Sequence, residues 1–478
     1  MCGIMLLAGP NASTRLPACL HRLRHRGPDD HRTWMSGDLA LGFARLQING
    51  DEAVGRQPLL EEGTVAVFNG EIYNHESLAE AHGLPRSACD VRVVTPLLAR
   101  KGPRVIDDLD GFYSGVVIRP PDRSVLCLRD QMGKKPLFVG RSGTEFFIAS
   151  EMKALDRAEW FELLPRGVSA VDLDTGAVRA IAAHRPISGP LGLEAAFAEA
   201  VGKRMPARNQ PVGLFLSGGL DSSLVASFAS RLRSDITYFT LGDEEHPDHR
   251  AARVVADALG LRDVRAVPLP DHATLPELIR DVVHATESFN PSIASNGLAT
   301  FLLAKAAHEA GIKVVLTGEG ADELFGGYHS FDEGDPWRET RERLIDDMQH
   351  TELRRLDLCC MAHSVEPRCP FLDRDVRRIS DECGFRDIFD AGQNKAVLRR
   401  TFTDALPAEI LNRRKTSFDV GSGIRGEVVR YLRRNGRSER EELRGIWRAL
   451  FAHGDSSPYF HTYPVFDEAI DRRAETHR

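Results

Sequence analysis

The stretch VGLFLSGGLDSSLVASFASRLR, residues 212–233, reads as a short buried strand, a Gly/Ser loop and a helix in direct succession. A loop that ends a strand and opens a helix turns its backbone N–H groups toward whatever lies above the sheet. Gly218 and Gly219 let the backbone approach closely, and Ser217, Ser222 and Ser223 add hydroxyls, so the loop reads as an anion cradle. It lacks the lysine of a Walker A loop. Asp221 would repel a phosphate directly; its carboxylate suits a Mg²⁺ that bridges to phosphate oxygens. Alone, the same letters also describe an ordinary Gly-Ser turn with a helix cap.

The rhythm continues outward. ITYFTLG is a further strand, HRAARVVADALG a helix and VRAVPL another strand, and a helical run over 297–310 leads into KVVLTGEGADE. Alternating strands and helices predict an open parallel sheet with ligands beyond the carboxyl ends of its strands. VVLTGEGADELFGGY, 314–328, is a second strand entering a glycine-rich acidic loop. Gly318 and Gly320 permit tight backbone, Asp322 offers a second Mg²⁺ ligand, and Glu319 and Glu323 are placed as base or ion partners. A capped loop with solvated acids is the bland alternative, but two such loops after two strands favour a nucleotide site. Beyond about 390 the chain reads as helical and charge-mixed.

Residues 1 to about 185 follow another pattern. IMLLAG, LALGFARL, TVAVFNG, FYSGVVI, SVLCLRD and TEFFIAS read as strands separated by turn residues, with helical stretches near 13–25 and 88–101. This predicts an α+β domain on antiparallel sheets. The Pro- and Gly-rich segment 183–192 reads as a linker, giving domains over 2–185 and 193–478.

Composition limits the rest. The 478 residues carry a net charge of −7, with 42% hydrophobic and 27% charged residues. That is a globular composition with no electrostatic case for nucleic acid or an acidic membrane surface. No apolar run reaches the ~18 residues of a membrane span, and the start lacks the features of an export signal, so cytoplasm is expected by default. The eight cysteines show no paired C-x-x-C spacing, which argues against structural zinc.

Cys2 stands apart. With Met1 removed, MCGIMLLAG presents a thiol of pKa about 8.5 beside an α-amine of pKa about 8: a nucleophile with its own proton acceptor. In NGEIYN, 69–74, the Asn69 amide and the Gly70 N–H could donate to a tetrahedral oxyanion. Arg45 could clamp a carboxylate and Asp90 an ammonium group, though either taken alone reads first as a surface charge.

Together these segments resemble the glutamine-dependent asparagine synthetase family. The match is carried in order by MCGI, RHRGPDD, ARLQI, QPL, NGEIYNH, RDQMGKKPLF, ASEMKAL, SGGLDSS, TGEGADELFGGY, MAHSVEPRCPFLD and NKAVLR. The resemblance implies an N-terminal-nucleophile αββα glutaminase domain, then an adenine-nucleotide α-hydrolase-like ATP-pyrophosphatase domain with a helical C-terminal part. It implies that Cys2 attacks the glutamine amide, that Asn69 and Gly70 form the oxyanion hole, and that Arg45, Asn69, Glu71 and Asp90 bind glutamine. It places Leu216, Ser217, Gly218, Gly219, Asp221, Ser222, Leu241, Gly318 and Glu319 around ATP. It also implies Asp221 and Asp322 as Mg²⁺ ligands, with Lys395 facing the phosphates and the acyl-adenylate. Glutamine, ATP and a carboxylate acceptor are the implied partners, ammonia passes through a tunnel, and a homodimer is compatible with the resemblance.

Three departures stand out. The family usually has an acid two residues after the matched aspartate; here Asp90 is followed by Val91 and Arg92, which is expected to alter glutamine binding unless Arg92 simply faces solvent. ESFNPSIASNGLAT, 287–300, has Ser295 and Asn296 where family members that use aspartate often carry an arginine, so binding of a two-carboxylate acceptor is expected to weaken. Glu366-Pro367-Arg368 replaces a common Glu-Ala-Arg. Besides a glutamine-hydrolysing synthetase acting on aspartate or a related acid, these leave room for an amide- or lactam-forming enzyme of specialised metabolism. Cys2 and Glu319 argue against a β-lactam synthetase, and Asp221, Asp322 and Lys395 against a non-catalytic paralogue.

Overall fold

Strand pairing divides the chain into two units, seen here in a computed structural model that describes residues 2–49, 54–61, 63–328, 332–334 and 336–453. One unit holds residues up to Arg185 together with Trp447–His453; the other holds Pro186–Ile446.

The first unit contains β1 (Gly3–Ala8), β2 (Asp30–Ser36), β3 (Leu39–Arg45), β4 (Leu59–Glu61), β5 (Thr64–Ile72), β6 (Gly111–Arg119), β7 (Ser124–Arg129), β8 (Phe138–Ser142), β9 (Glu145–Ala149), β10 (Trp160–Leu163), β11 (Gly167–Val171) and β12 (Val178–Ala182). They form two six-stranded antiparallel sheets, ordered β10-β8-β9-β1-β3-β2 and β12-β11-β7-β6-β5-β4. Between the sheets lie Ile4, Leu6, Leu41, Phe43, Val65, Val67, Val116 and Ile148. The helix Ala12–Arg22 covers the outer face of the first sheet, against β1 and β3. Helices His75–Ala81 and Val94–Lys101 cover the second, burying Phe68, Ile72, Leu78 and Leu97. The order is helix, sheet, sheet, helix, the αββα sandwich. Because β1 and β3 are covered on both faces, their sequences are apolar runs rather than alternations. The edge strand β2, DHRTWMS, is half exposed and polar, which is why it carries no strand signal in the sequence.

The motif RDQMGKKPLF is structural. Arg129 is fully buried and donates to the carbonyls of Gly133, Lys135 and Leu164, while the Asp130 carboxylate accepts from the N–H groups of Tyr113, Met132, Lys134 and Lys135. At the other end of the chain, His453 Nδ1 accepts from the Ala158 N–H at 2.7 Å, and its ring packs against Phe161.

The second unit is built on β13 (Val212–Phe215), β14 (Ile236–Leu241), β15 (Asp263–Val267), β16 (Val314–Leu316) and β17 (Glu366–Arg368), all parallel and ordered β15-β14-β13-β16-β17. The chain first builds outward from β13 through β14 to β15, then returns to lay β16 and β17 on the opposite side. The order therefore reverses between β13 and β16, and the crevice beyond their carboxyl ends is where such sheets bind ligands. Phe197, Phe228, Phe371 and Phe402 pack edge-on and tilted in the core. The helix Pro291–Glu309 starts six residues before the stretch read as helical from the sequence. Its start was nonetheless written: Asn290 Oδ1 accepts from the Ser292 N–H at 2.8 Å, and Pro291 occupies the first turn. Glu366-Pro367-Arg368 is a buried edge strand in which Arg368 pairs with Glu366 at 2.6 Å.

Candidate active sites

In the first unit the site follows from strand periodicity. Cys2 continues the interior row of β1 through Ile4 and Leu6, and Arg45 the row of β3 through Phe43; Asn69 and Glu71 extend Val65 and Val67 on β5. Three apolar rows thus end in polar residues at one margin of the sandwich. The Cys2 N–H donates to Asn69 Oδ1 at 2.8 Å. Asn69 is fully buried, and its Nδ2 finds no acceptor among the described residues. A buried amide donor left unmatched is costly, and here it belongs to the side chain that holds the Cys2 nitrogen. Gly70 next to it has φ +148°, and a Cβ there would sit 2.1 Å from the Phe112 carbonyl oxygen, so no other residue fits.

Arg45 is buried and donates to the Asn49 carbonyl at 3.1 Å; a Cβ on Gly55 would overlap its guanidinium. Asn49 in turn donates to the Glu71 carboxylate. Asp90 accepts from the Ile72 N–H at 2.7 Å, which fixes it beside the end of β5. Arg92 does not simply face solvent: it pairs with Glu61 at 2.5 Å and donates to the Val54 carbonyl at 3.0 Å. Its charge is spent on tying two neighbouring segments together.

In the second unit both glycine-rich loops sit at the switch point. Gly218 has φ +68°, and a Cβ would lie 2.3 Å from the Ala252 nitrogen. The loops touch: a Cβ on Gly318 would come within 2.7 Å of the Ser222 nitrogen. The Ser217 and Ser222 hydroxyls bond each other at 3.1 Å. A cavity of about 130 Å³ is lined by Leu216, Ser217, Gly219, Asp221, Ser222, Gly318, Glu319, Asp322 and Lys395. Three residues do not line it. Ser223 is fully buried beneath the loop, Gly218 packs against the helix Pro247–Leu259, and Leu241 is buried at the end of β14.

Lys395 bridges the two acids, with Nζ 2.6 Å from Asp221 Oδ2 and 2.6 Å from Asp322 Oδ1. Lys415, unread in the sequence, also pairs with Asp322. Burial works to raise the Asp322 carboxyl, but Lys395 and Lys415 hold it down at about 2. Asp221, with less cationic help, is pushed up by burial despite Lys395. Arg413, also unread, pairs with Asp248 at 2.6 Å and donates to the Ser217 carbonyl, pinning the first loop. Among the described residues no three His, Cys, Asp or Glu side chains form a metal cage. Mg²⁺ does not need one: it typically takes one or two carboxylates, with substrate phosphates and water completing the octahedron. Two carboxylates already converging on a cationic point fit that requirement.

Beside this cavity lies a second, of about 260 Å³, lined by Asn290, Asn296, Glu319, Asp347, Glu352 and Arg355 among others. Ser295 is buried and donates to Asp419 Oδ2 at 2.7 Å, so that position supplies no cation. The cation comes instead from another helix: Arg355, on Glu352–Met361, pairs with Glu319 at 2.5 Å and donates to Thr300 Oγ1 at 2.6 Å. Weakened acceptor binding therefore does not follow from the 287–300 segment alone. Glu323 is not a free base or ion partner. It is buried against Tyr328, whose hydroxyl donates to it at 2.6 Å, and burial with Glu352 and Asp322 nearby pushes its carboxyl far up.

An antiparallel sandwich with Cys2 at its margin and a parallel sheet with a paired-acid loop site define a class: ATP-dependent carbon–nitrogen ligases that take their nitrogen from glutamine. The Glutamine amidotransferase domain family matches residues 1–179, and the Asparagine synthase family matches 192–346 and 331–453. Asparagine synthetase [glutamine-hydrolyzing] 2 of Lotus japonicus is 34% identical over 465 residues, covering 88% of this chain and 78% of the relative. Asparagine synthetase [glutamine-hydrolyzing] 3 of Arabidopsis thaliana is 35% identical over 468 residues, covering 88% and 79%. The chain belongs to the glutamine-hydrolysing asparagine synthetase family. A B. subtilis glutamine phosphoribosylpyrophosphate amidotransferase structure is a distant likeness, at 17% identity and TM-score 0.33 over 66% of this chain and 81% of that one. No helix among the described residues is long and apolar enough to cross a membrane.

Proposed function

We propose that the chain activates the carboxylate of aspartate or a closely related amino acid with ATP and amidates it with ammonia released from glutamine at Cys2. The observation that carries this reading is the Asn69 side chain. One end holds the Cys2 nitrogen at 2.8 Å, and the other is a buried donor with no partner among the described residues. With Met1 removed, that nitrogen is an α-amine able to take the thiol proton. The thiolate attacks the glutamine amide, and Asn69 Nδ2 with the Gly70 N–H takes the developing oxyanion. Arg45, Glu71 and Asp90 hold the amino-acid head group, and Gly55 leaves room for the Arg45 guanidinium.

In the second unit the acceptor carboxylate attacks the ATP α-phosphorus to give an acyl-adenylate and pyrophosphate. Ser217, Gly219 and Ser222 cradle the phosphates, while Lys395, pre-placed between the two acids, and Lys415, paired with Asp322, meet the charge of the leaving pyrophosphate. Asp221 and Asp322 would hold a Mg²⁺, which would supply further charge neutralisation for that departure. Ammonia then displaces AMP from the acyl-adenylate, with Glu319 receiving its proton, and the cavity that would receive the amino-acid acceptor is lined by Arg355 and Lys415 together with Asp347 and Glu352. A pyrophosphate-release assay across aspartate, other amino acids and simple carboxylic acids tests this. Release with aspartate is the expected result. Release with another amino acid alone removes aspartate from the reading, and no acceptor-dependent release at all removes adenylation.

A further inference from the structure

QPL, 57–59, is a motif that neither proposed reaction accounts for, and the strand ladder shows where it acts. In an antiparallel sheet every second residue of a strand turns its N–H and C=O to the same neighbour. The β4–β5 register sets Leu59 opposite Ala66, and β4 starts there. On its other side β5 stays paired with β6 as far as Ile72, and the Tyr73 N–H donates onward to the Asp110 carbonyl at 2.7 Å. Alternation back from Tyr73 turns Ala66, Phe68, Gly70 and Ile72 to the edge that β4 leaves open.

Phe68 is served by a side chain. The Gln57 amide donates to the Phe68 carbonyl at 3.1 Å and accepts from its N–H at 2.6 Å. Gln57 holds the register position opposite Phe68, so its side-chain amide stands where the backbone of a longer β4 would. The Ile72 N–H goes to the Asp90 carboxylate at 2.7 Å. Gly70 lies between the two. In register its partner would be Gly55, but Gly55 lies against Arg45 instead, where a Cβ would overlap the guanidinium.

Stability alone is a poor reason for this arrangement. A strand continued in register would satisfy Phe68 equally well and would engage Gly70 too. The buried Gln57 side chain does the first without the second. We propose that Gln57 is a positioning residue: its amide ends the ladder one side-chain length from β5, fixing the backbone before Asn69 while leaving the Gly70 N–H turned to substrate. The proposal rests on the reading of Asn69 and Gly70 as oxyanion donors at Cys2.

The test compares Gln57→Leu and Gln57→Glu with the unaltered chain. Leucine removes both bonds to Phe68; a glutamate carboxylate can accept from the N–H but cannot donate to the carbonyl. The measurements are steady-state glutamine hydrolysis, ammonium-supported pyrophosphate release, thermal melting, and alkylation of Cys2 by iodoacetamide, followed on the N-terminal peptide. For Gln57→Leu the glutamine kcat falls on the order of 10²-fold and KM stays within about threefold, with alkylation and the ammonium-supported rate unchanged. Alkylation needs the thiolate but no oxyanion donor, so it separates a displaced donor from a damaged nucleophile. Gln57→Glu loses about 10-fold in kcat, and it decides where Gln57→Leu fails to fold. Four results overturn the proposal: unchanged kcat in whichever variant folds, a change confined to KM, alkylation slowed as much as kcat, or loss of the first unit's melting transition in both variants. Cys2→Ala separates the premises. If it still hydrolyses glutamine, the nucleophile reading is wrong; if it does not while the Gln57 variants remain fully active, only the positioning role is lost.

Discussion

The two sites solve opposite electrostatic problems. At Cys2 the side chain that holds the nitrogen is a neutral amide, and its other end is a donor left unmatched among the described residues. At the switch point of the parallel sheet the charges are instead cross-matched, with Lys395 between Asp221 and Asp322 and Lys415 on the far oxygen of Asp322. The difference suits the reactions proposed for them. In that reading a single oxyanion forms and collapses at the first site, where two dipoles would serve it without reorganisation. Several phosphate charges would arrive and depart at the second, where balanced ion pairs can exchange partners as it fills.

Variants that unbalance each site sharpen this contrast. The largest effect is expected from Asp221→Asn. Losing a carboxylate from the paired set should cut acceptor-dependent pyrophosphate release on the order of 10³-fold with glutamine or ammonium salt as nitrogen source. Loss with glutamine alone would show the charges to be structural. Asn69→Ala removes one neutral donor and should cost glutamine hydrolysis ~10²–10³-fold in kcat, leaving ammonium-supported release intact. A smaller effect is expected at the acceptor cavity. Arg355→Ala deletes a charge-assisted contact and should raise the acceptor KM about 10–100-fold without changing the KM for glutamine.

The smallest effect is on stability. Burial, with Glu319 nearby, raises the Glu352 carboxyl to about 7 despite Thr351 and Arg355. A folded acid with a pKa above its unfolded value of about 4.3 binds more protons folded than unfolded, so the second unit loses stability as pH rises between those values. Glu352→Gln should remove that slope and raise the melting temperature at pH 8 by about 2–4 °C. An unchanged profile from pH 5 to 8 would place the carboxylate in water.

Much of this was legible in the sequence because the decisive signals are local. The loop after β13 announces itself through Gly218 and Asp221, and Cys2 through its place in the chain. The apolar runs of β1, β3 and β5 mark a doubly covered sandwich. What escaped was long-range. Arg355 reaches Glu319 from a separate helix, Lys415 reaches Asp322 from 93 residues away, and Arg26 meets Glu151 across 125. Arginines and lysines are common enough on surfaces that nothing near them marks a buried partner. Ser295 shows the same limit, since the 287–300 segment does not reveal that Arg355 is brought beside Glu319 from another helix.

The account turns on two separable reactions in one chain, and one measurement addresses that directly: the rate of amidated product formed by Cys2→Ala with glutamine and, in parallel, with ammonium salt. Loss of the glutamine-supported rate with the ammonium-supported rate retained is the expected result. Retention of glutamine use, or loss of both rates in a folded variant, would contradict it.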